Sequence, residues 1–176
     1  LTGIPLKGQR GYEYRLTPAG RELSKVVEAL AVWGMRWARD EMSSNDQDVS
    51  FLMFDIQRRI DLAMLPDGET VLCLQFQDVK NKKFRTWWLV CSDGEADLCY
   101  VDPGKDVDCY VSGSLKSMID IWMGDLRLSE ALREGYLHVT GEHLLCQTFS
   151  RWFTLSAMAK TPRPTAVERQ PRASAR

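Results

Sequence analysis

A strand that leads directly into a long helix near the N-terminus constrains this fold most. Tyr12, Tyr14 and Leu16 alternate with charged residues, which is the period-two pattern of a half-buried strand. Thr17 then supplies an oxygen that suits a helix N-cap, and Pro18 suits the first helical turn because that position has no intrahelical hydrogen bond to lose. The sequence therefore predicts a strand that ends where a helix begins.

The predicted helix runs from Pro18 to about Met42 and carries one apolar stripe. At 1.5 Å per residue it extends roughly 37 Å, which is long for a small domain. The stripe either packs against the core of its own chain or meets a second copy of the helix. The segment before the helix is too short to cover two tryptophans, which favours a homodimer. The predicted dimer interface comprises Leu23, Val26, Val27, Leu30, Trp33 and Trp37.

The strand, the Leu-Thr-Pro junction and the helix together resemble the end of the winged helix-turn-helix domain in HxlR-type transcriptional regulators. In that family a wing strand reading YxLTxxGxxL precedes a dimerisation helix that ends in a Trp-Gly pair. The resemblance implies a DNA-binding protein whose wing touches phosphates or a minor-groove edge. The matching residues are Tyr14, Leu16, Thr17, Gly20, Leu23, Trp33 and Gly34, and the wing residues expected to face DNA are Lys7, Arg10 and Arg15.

The helices that precede the wing in HxlR-type regulators have no counterpart in this sequence, and they include the recognition helix that enters the major groove. The sequence also begins with Leu1 instead of Met. We therefore expect it to be the C-terminal part of a longer product, with most DNA contacts made upstream. Without those helices, a solvated loop is an equally good interpretation of the three wing cations.

Composition limits the remaining possibilities. A chain of 176 residues with 44% hydrophobic content holds one domain with an appendage, or two small domains. A formal net charge of -1 and an isoelectric point near 6.2 provide no overall positive field, so any nucleic-acid binding must be local or supplied upstream. No apolar run is long enough to span a membrane and no secretory signal opens the sequence, which predicts a soluble, cytoplasmic protein.

The sequence carries no pattern that predicts catalysis or metal binding. Five cysteines include no C-x-x-C pair, and His138 and His143 lack the spacing of metal ligands, so neither a metal nor a cofactor is predicted. No nucleophile elbow or phosphate-binding glycine loop is present, which predicts a protein that is not an enzyme. Asp106 and Asp108 share a face of a predicted strand, but solvated edge charges are the better interpretation than a catalytic pair.

Beyond a polar run at residues 43–48, turn residues separate several strand-like and helix-like segments. The turn spacing predicts an antiparallel meander, and residues 51–64 fit either a strand or an extended lead into a short helix. The predicted strands are 71–79, 84–91, 96–100, 107–111 and 136–139, and the predicted helices are 115–122, 128–134 and a single terminal helix from 141 onward.

The order of these segments resembles a sterol carrier protein type 2 domain over roughly Val49 to Ala159. The sequence W-x-L-V-x-x-D-G at 87–94 precedes a Val-Asp-Pro-Gly turn at 101–104, a helix ending in Trp-Met-Gly at 122–124, and G-Y-L-x-V-x-G at 135–141. The resemblance implies a twisted five-stranded sheet covered by helices, with an apolar tunnel that holds a fatty acyl chain, a sterol or a similar lipid. The residues expected to line the tunnel are Trp87, Leu89, Ile119, Trp122, Phe149, Trp152 and Phe153, for which ordinary core packing is the alternative.

The chain is thus predicted to be α+β and to have four parts. These are a wing with a dimerisation helix at 1–42, a linker at 43–48, a sterol-carrier-like lipid-binding domain at 49–160 and a disordered basic tail at 161–176. One functional hypothesis is a transcriptional regulator whose apolar ligand modulates DNA binding through the dimer helix. The other is a dimeric lipid-binding or lipid-carrier module without DNA binding.

Overall fold

The computed structural model describes residues 2–5, 12–38 and 48–165. The chain divides into two compact units, one formed by Leu1–Glu41 with Thr161–Arg176 and the other by Met42–Lys160. The predicted linker, apart from Asp48, and most of the predicted tail lie outside the described residues.

The smaller unit contains a β-hairpin that is followed by a long helix. Strand β1 (Thr2–Pro5) pairs antiparallel with β2 (Tyr12–Arg15), and helix α1 (Pro18–Trp37) begins two residues after β2. Thr17 caps α1, because its Oγ1 accepts a hydrogen bond from the Gly20 amide at 3.1 Å. The predicted strand, cap and helix are confirmed. The helix is shorter than the predicted span to about Met42, because it ends at Trp37 with Ala38 as its C-cap, and residues 39–42 lie outside the described residues.

The larger unit is built on a five-stranded sheet with strand order β5-β4-β3-β6-β7. Three neighbouring pairs are antiparallel, and only the β3–β6 pair is parallel. This mixed, mostly antiparallel sheet confirms the predicted α+β class. The strands are β3 (Thr70–Phe76), β4 (Thr86–Ser92), β5 (Glu95–Cys99), β6 (Cys109–Gly113) and β7 (Leu137–Gly141).

The predicted meander is wrong at its fourth strand. Instead of pairing with β5, β6 returns to the other side of β3 and pairs with it in parallel, with Leu72 opposite Cys109. Asp108 fixes this return, since its amide donates to the Val71 carbonyl at 2.9 Å and its Oδ2 accepts from the Val71 amide at 2.7 Å. Turn spacing shows where strands end but not which neighbour they join. Asp108 is therefore a structural residue, not the solvated edge charge predicted from its position.

Six α-helices are described, five of them in the larger unit. The segment that fitted either a strand or a lead into a helix is α2, which is capped by the Asp48 carboxylate, and it is followed by a 3-10 turn at Leu62–Met64. The single terminal helix is wrong, because the chain breaks into two short helices at Thr148, whose hydroxyl donates to the Leu144 carbonyl. The helices are α2 (Val49–Arg59), α3 (Leu115–Trp122), α4 (Leu128–Arg133), α5 (His143–Gln147) and α6 (Phe149–Trp152).

One face of the sheet carries a continuous group of buried apolar side chains. Leu72 and Leu74 of β3 lie opposite Leu89 and Trp87 of β4, and the parallel pairing adds Val111 of β6 to the same face. All five side chains are buried. Burying a side chain of this size stabilises the fold by roughly 1.5–3 kcal/mol.

Hydrogen bonds to backbone carbonyls hold the helices in place around this core. The Gln57 Nε2 of α2 donates to the Ala96 carbonyl of β5 at 2.7 Å. The Asp61 amide donates to the Trp152 carbonyl at 2.9 Å, and Thr154 Oγ1 donates to the Arg59 carbonyl. The end of α2 is therefore joined to the segment that contains α6.

Gly141→Ala tests the junction between β6 and β7. Gly141 has a φ of +138°, and a Cβ at this position would lie 2.2 Å from the Asp108 carbonyl oxygen. We expect the substitution to lower the free energy of unfolding by about 3 kcal/mol or more, because both backbone strain and a backbone clash result. Urea unfolding followed by circular dichroism measures this.

Gly104→Ala is the matched control, because Gly104 has a φ of +69° and open space where the Cβ would be. We expect it to cost only the strain of the left-handed backbone conformation, about 1 kcal/mol. Equal losses for the two variants would contradict a tight β6–β7 junction.

Candidate functional site

Three aromatic side chains at the C-terminal end of the larger unit form one buried cluster. Phe149 meets Trp152 edge-on with ring centroids 4.7 Å apart, and it stacks on Phe153 at 5.1 Å. The Trp152 Nε1 donates to the Leu145 carbonyl at 3.0 Å. Three of the seven predicted tunnel residues therefore lie together, on α6 and just after it.

Trp122 ends α3 and lies against two other parts of the larger unit. The Phe51 ring of α2 meets it edge-on at 6.4 Å with an interplanar angle of 84°. The Trp122 carbonyl accepts a hydrogen bond from the Ser156 amide at 2.9 Å. Trp122 is 7% exposed, whereas Ile119, one turn earlier on the same helix, is only half-buried.

Trp87 and Leu89 lie on the core face of β4. Trp87 stacks on Phe84 with centroids 5.7 Å apart, and Tyr100 meets Trp87 edge-on at 6.0 Å. The Trp87 Nε1 donates to the Phe84 carbonyl at 2.8 Å, and the Lys83 ammonium lies 4.7 Å from the centre of the Tyr100 ring. Sequence reasoning missed both Phe84 and Tyr100 as partners of Trp87. Tyr100 reaches Trp87 only through the β4–β5 pairing, whereas Phe84 lies in the turn just before β4.

The seven predicted lining residues thus fall into three groups of one unit, on β4, on α3 and around α6. All except Ile119 are buried, so the aromatic and aliphatic character expected of an apolar binding site is present. A tunnel that joins the three groups stays a prediction.

An open cleft of about 450 Å³ lies elsewhere on the larger unit. Its lining comes from residues between Leu62 and Gly68 and from the β4–β5 turn at Cys91–Gly94. None of the seven predicted residues belongs to this lining. Sequence reasoning did not identify the cleft, because two turns that are distant in sequence form it.

The apolar stripe of α1 is exposed, with no cover from the described residues. No residue of α1 is buried, and Trp33 is 57% exposed. The other five residues of the predicted dimer interface are exposed as well. Of the predicted DNA-facing residues, Arg15 is exposed at the end of β2, and Lys7 and Arg10 lie outside the described residues.

The buried cysteines are poor candidates for nucleophiles. Burial raises the pKa of the Cys73 and Cys91 thiols to about 11, and burial with the neighbouring Cys146 raises the pKa of Cys109 to about 12. A reactive thiol needs a lowered pKa and some exposure. In the part of the chain that the structure describes, no three His, Cys, Asp or Glu residues are grouped as metal ligands.

Comparison with known families agrees with this geometry. Residues 68–154 match the SCP-2 sterol transfer family, and residues 5–42 match the HxlR-like helix-turn-helix family. The chain joins an HxlR-like segment to an SCP-2 domain. The β1–β2 hairpin and α1 lie largely within the first match, and the sheet with α3–α6 lies within the second.

Solved structures that are similar to part of this chain include an alkylsulfatase and two sterol carrier proteins. The sec-alkylsulfatase Pisa1 from Pseudomonas sp. is 18% identical with a TM-score of 0.47, and the match covers 66% of this chain but only 18% of the alkylsulfatase. Sterol carrier protein 2 like 2 from Aedes aegypti is 17% identical, with a TM-score of 0.41 and coverage of 58% and 93% of the two chains. Sterol carrier protein domain 2 of Helicoverpa armigera is 14% identical, with a TM-score of 0.43 and coverage of 60% and 81%. No curated protein matches the chain.

None of the described helices combines the length and apolar character that crossing a bilayer requires.

Alkylation tests the thiol environments. We expect iodoacetamide at pH 8 to label Cys73, Cys91 and Cys109 at least about tenfold more slowly than the half-buried Cys99, because their raised pKa values keep them protonated. In the folded protein their labelling should increase only as the pH approaches 11, whereas in urea it should increase near the ordinary value of 9. Peptide mass spectrometry measures each site, and rapid native labelling of Cys109 would contradict its buried position.

Proposed function

We propose that this chain acts in transcription regulation as a homodimer, that its SCP-2 domain binds an apolar ligand such as a fatty acyl or sterol-like lipid, and that the ligand modulates DNA binding through α1. The observation that carries the proposal is the exposed apolar stripe of α1, a helix that lies within the HxlR-like match. The same chain contains a segment that matches the SCP-2 sterol transfer family. We propose no catalytic role and no cofactor, and we propose the cytoplasm as the compartment.

The stripe supports a homodimer because exposing an apolar patch of this kind to water is unfavourable in free energy, and association with a second copy would bury it. Most of the stability of a helix in a protein comes from packing of its apolar face. The described residues bury no part of α1, and we propose a second copy of the helix as the partner of the stripe. In this dimer the two β1–β2 hairpins would contact DNA, with Arg15 as the described residue that faces phosphate.

The lipid site we propose uses the predicted lining residues of the SCP-2 domain. Its support is the concentration of buried aromatic residues on α3 and around α6, which offers adaptable apolar surface to a ligand. Ligand binding would change DNA affinity only if the ligand prefers one arrangement of the dimer over another. The competing function is a dimeric lipid carrier, which has the same lipid site but no linkage to DNA.

A fluorescent lipid separates these functions. We expect delipidated protein to bind a pyrene-labelled fatty acid or sterol at about one per chain, seen as energy transfer from tryptophan to pyrene. Saturating lipid should then change the affinity of the full-length gene product for its selected DNA site by roughly 5-fold or more. Uptake without any change in DNA affinity would favour the carrier, and the absence of uptake would contradict lipid binding altogether.

Trp33→Asp tests the dimer. The substitution places a charge in the apolar stripe, and we expect it to convert dimers into monomers, because burying an unpaired carboxylate is very costly. Sedimentation equilibrium measures the molecular mass in solution.

Val32→Asp is the matched control for this test. Val32 is also exposed on α1, but it lies nine residues after Leu23 and so on the opposite side of the helix. We expect this variant to remain dimeric. A monomeric wild-type protein, or equal effects of the two substitutions, would show that the stripe does not form the interface.

A further inference from the structure

Trp122 is a buried tryptophan whose indole N–H has no acceptor among the described residues. The other two buried tryptophans differ in this respect. Trp87 Nε1 donates to the Phe84 carbonyl at 2.8 Å and Trp152 Nε1 donates to the Leu145 carbonyl at 3.0 Å. Because an unpaired buried donor is costly and rare in native proteins, the missing acceptor of Trp122 requires an explanation.

The backbone around Trp122 holds the indole in position. The Met123 amide donates to the Ile119 carbonyl at 2.8 Å and closes the last turn of α3. The Ser156 amide donates to the Trp122 carbonyl at 2.9 Å, and a Cβ on the adjacent Gly124 would lie 2.8 Å from the Ala159 carbonyl oxygen. The segment after α6 is therefore packed closely against the end of α3, which restricts the ways in which Trp122 could turn to find another acceptor.

Phe51 connects the buried indole to the protein surface. Its ring contacts Trp122 edge-on, yet its side chain is 67% exposed. Leu155, next to the Ser156 that bonds Trp122, is also exposed. The exposed apolar side chains of Phe51 and Leu155 therefore lie beside the buried indole, which suits a ligand that is mostly apolar.

The donor itself favours a neutral ligand over an ionised one, because the unpaired group of Trp122 is an uncharged indole N–H. Phe51 lies on α2, and the two arginines at the end of that helix, Arg58 and Arg59, both bond the Asp55 carboxylate, at 3.0 and 2.7 Å. A buried carboxylate on the ligand would need a cation of its own, whereas a neutral oxygen needs only a donor.

We propose that the Trp122 N–H donates a hydrogen bond to the oxygen of a neutral, mostly apolar ligand, such as a ketone, an ester or an alcohol. This inference rests on the lipid-binding function proposed above, and it adds the polar contact by which the site selects its ligand. A hydrocarbon without the oxygen leaves the N–H unpaired, and an ionised carboxylate adds an unpaired charge.

The test compares 2-undecanone, undecane and decanoate at pH 8, each delivered from cyclodextrin to the full chain. In protein labelled with 15N-tryptophan, Trp122→Phe identifies the Trp122 indole resonance by its loss. We expect 2-undecanone to move this indole proton downfield, as formation of a hydrogen bond requires. We also expect 2-undecanone to bind about tenfold more tightly than undecane, because the hydrocarbon leaves the donor unpaired, and more tightly than decanoate.

Trp122→Phe should remove the preference, so that 2-undecanone and undecane bind with about equal affinity. Trp88→Phe, on the other face of β4, is the matched control and should keep the preference. Equal affinities of the wild-type protein for the two compounds, or an unmoved Trp122 resonance on ketone binding, would overturn the role of Trp122 while lipid binding stands. Tighter binding of decanoate would overturn the preference for a neutral ligand. Failure of all three compounds to bind would reject both the lipid site and this inference. The comparison of affinities in the wild-type protein does not depend on whether Trp122→Phe folds.

Discussion

The parallel pairing of β6 with β3 is the interaction on which the rest of the larger unit depends. It brings Cys109 opposite Leu72 and Val111 opposite Leu74, so that the buried face of β3 continues into β6. The double hydrogen bond between Asp108 and Val71 starts this pairing at one end. At the other end Gly113 lies against β7 with no space for a Cβ, and α3 follows it immediately. A chain that failed to pair β6 with β3 would lose the continuous apolar face that the helices cover, and with it the position of Trp122 at the end of α3.

Local signals were sufficient for much of the fold. The Thr17 cap and the positions of β3 and β4 are encoded by residues close in sequence, and the structure has these elements close to where they are predicted. The alternation of β3 predicts one buried face, but Val71 and Cys73 on its other face are buried as well, because burial depends on what packs on that face. The place of β6 in the sheet was not predictable in this way, because its partner is about 37 residues upstream, as the Val71–Asp108 bond shows. The break at Thr148 was missed for a similar reason, since helical spacing of apolar residues continues through it.

For the site, sequence patterns identified six side chains that are buried, but only the three-dimensional surroundings distinguish the paired N–H groups of Trp87 and Trp152 from the unpaired one of Trp122.

The two units differ in how their apolar residues are used. The larger unit buries its own, with Leu72, Phe76 and Met118 among the fully enclosed side chains. Besides α1, the described part of the smaller unit contains a two-stranded hairpin and residues 161–165, and a hairpin of that size offers too little surface to cover a helix of 20 residues. In the homodimer that we propose, the stability of α1 depends on association, whereas the stability of the SCP-2 domain depends on internal packing. This difference explains why a polar substitution in the stripe is expected to change mass in solution and a substitution such as Gly141→Ala is expected to change unfolding.

A regulator and a carrier built from these same parts differ in one thermodynamic property. If a lipid lowers the affinity of the protein for DNA by some factor, DNA must lower the affinity for that lipid by the same factor, because the two binding reactions share one cycle. In a carrier the two binding reactions are not coupled, and its affinity for lipid is independent of DNA. The source of any coupling would be a difference in ligand contacts between two arrangements of the dimer, since a ligand with equal affinity for both shifts nothing. The Trp122 N–H is a natural place for such a difference. The Trp122 donor lies between α3, α2 and the segment after α6, so it meets the ligand oxygen only when these three elements are correctly placed around the ligand. The hydrogen bond therefore stabilises one packing of the domain relative to others.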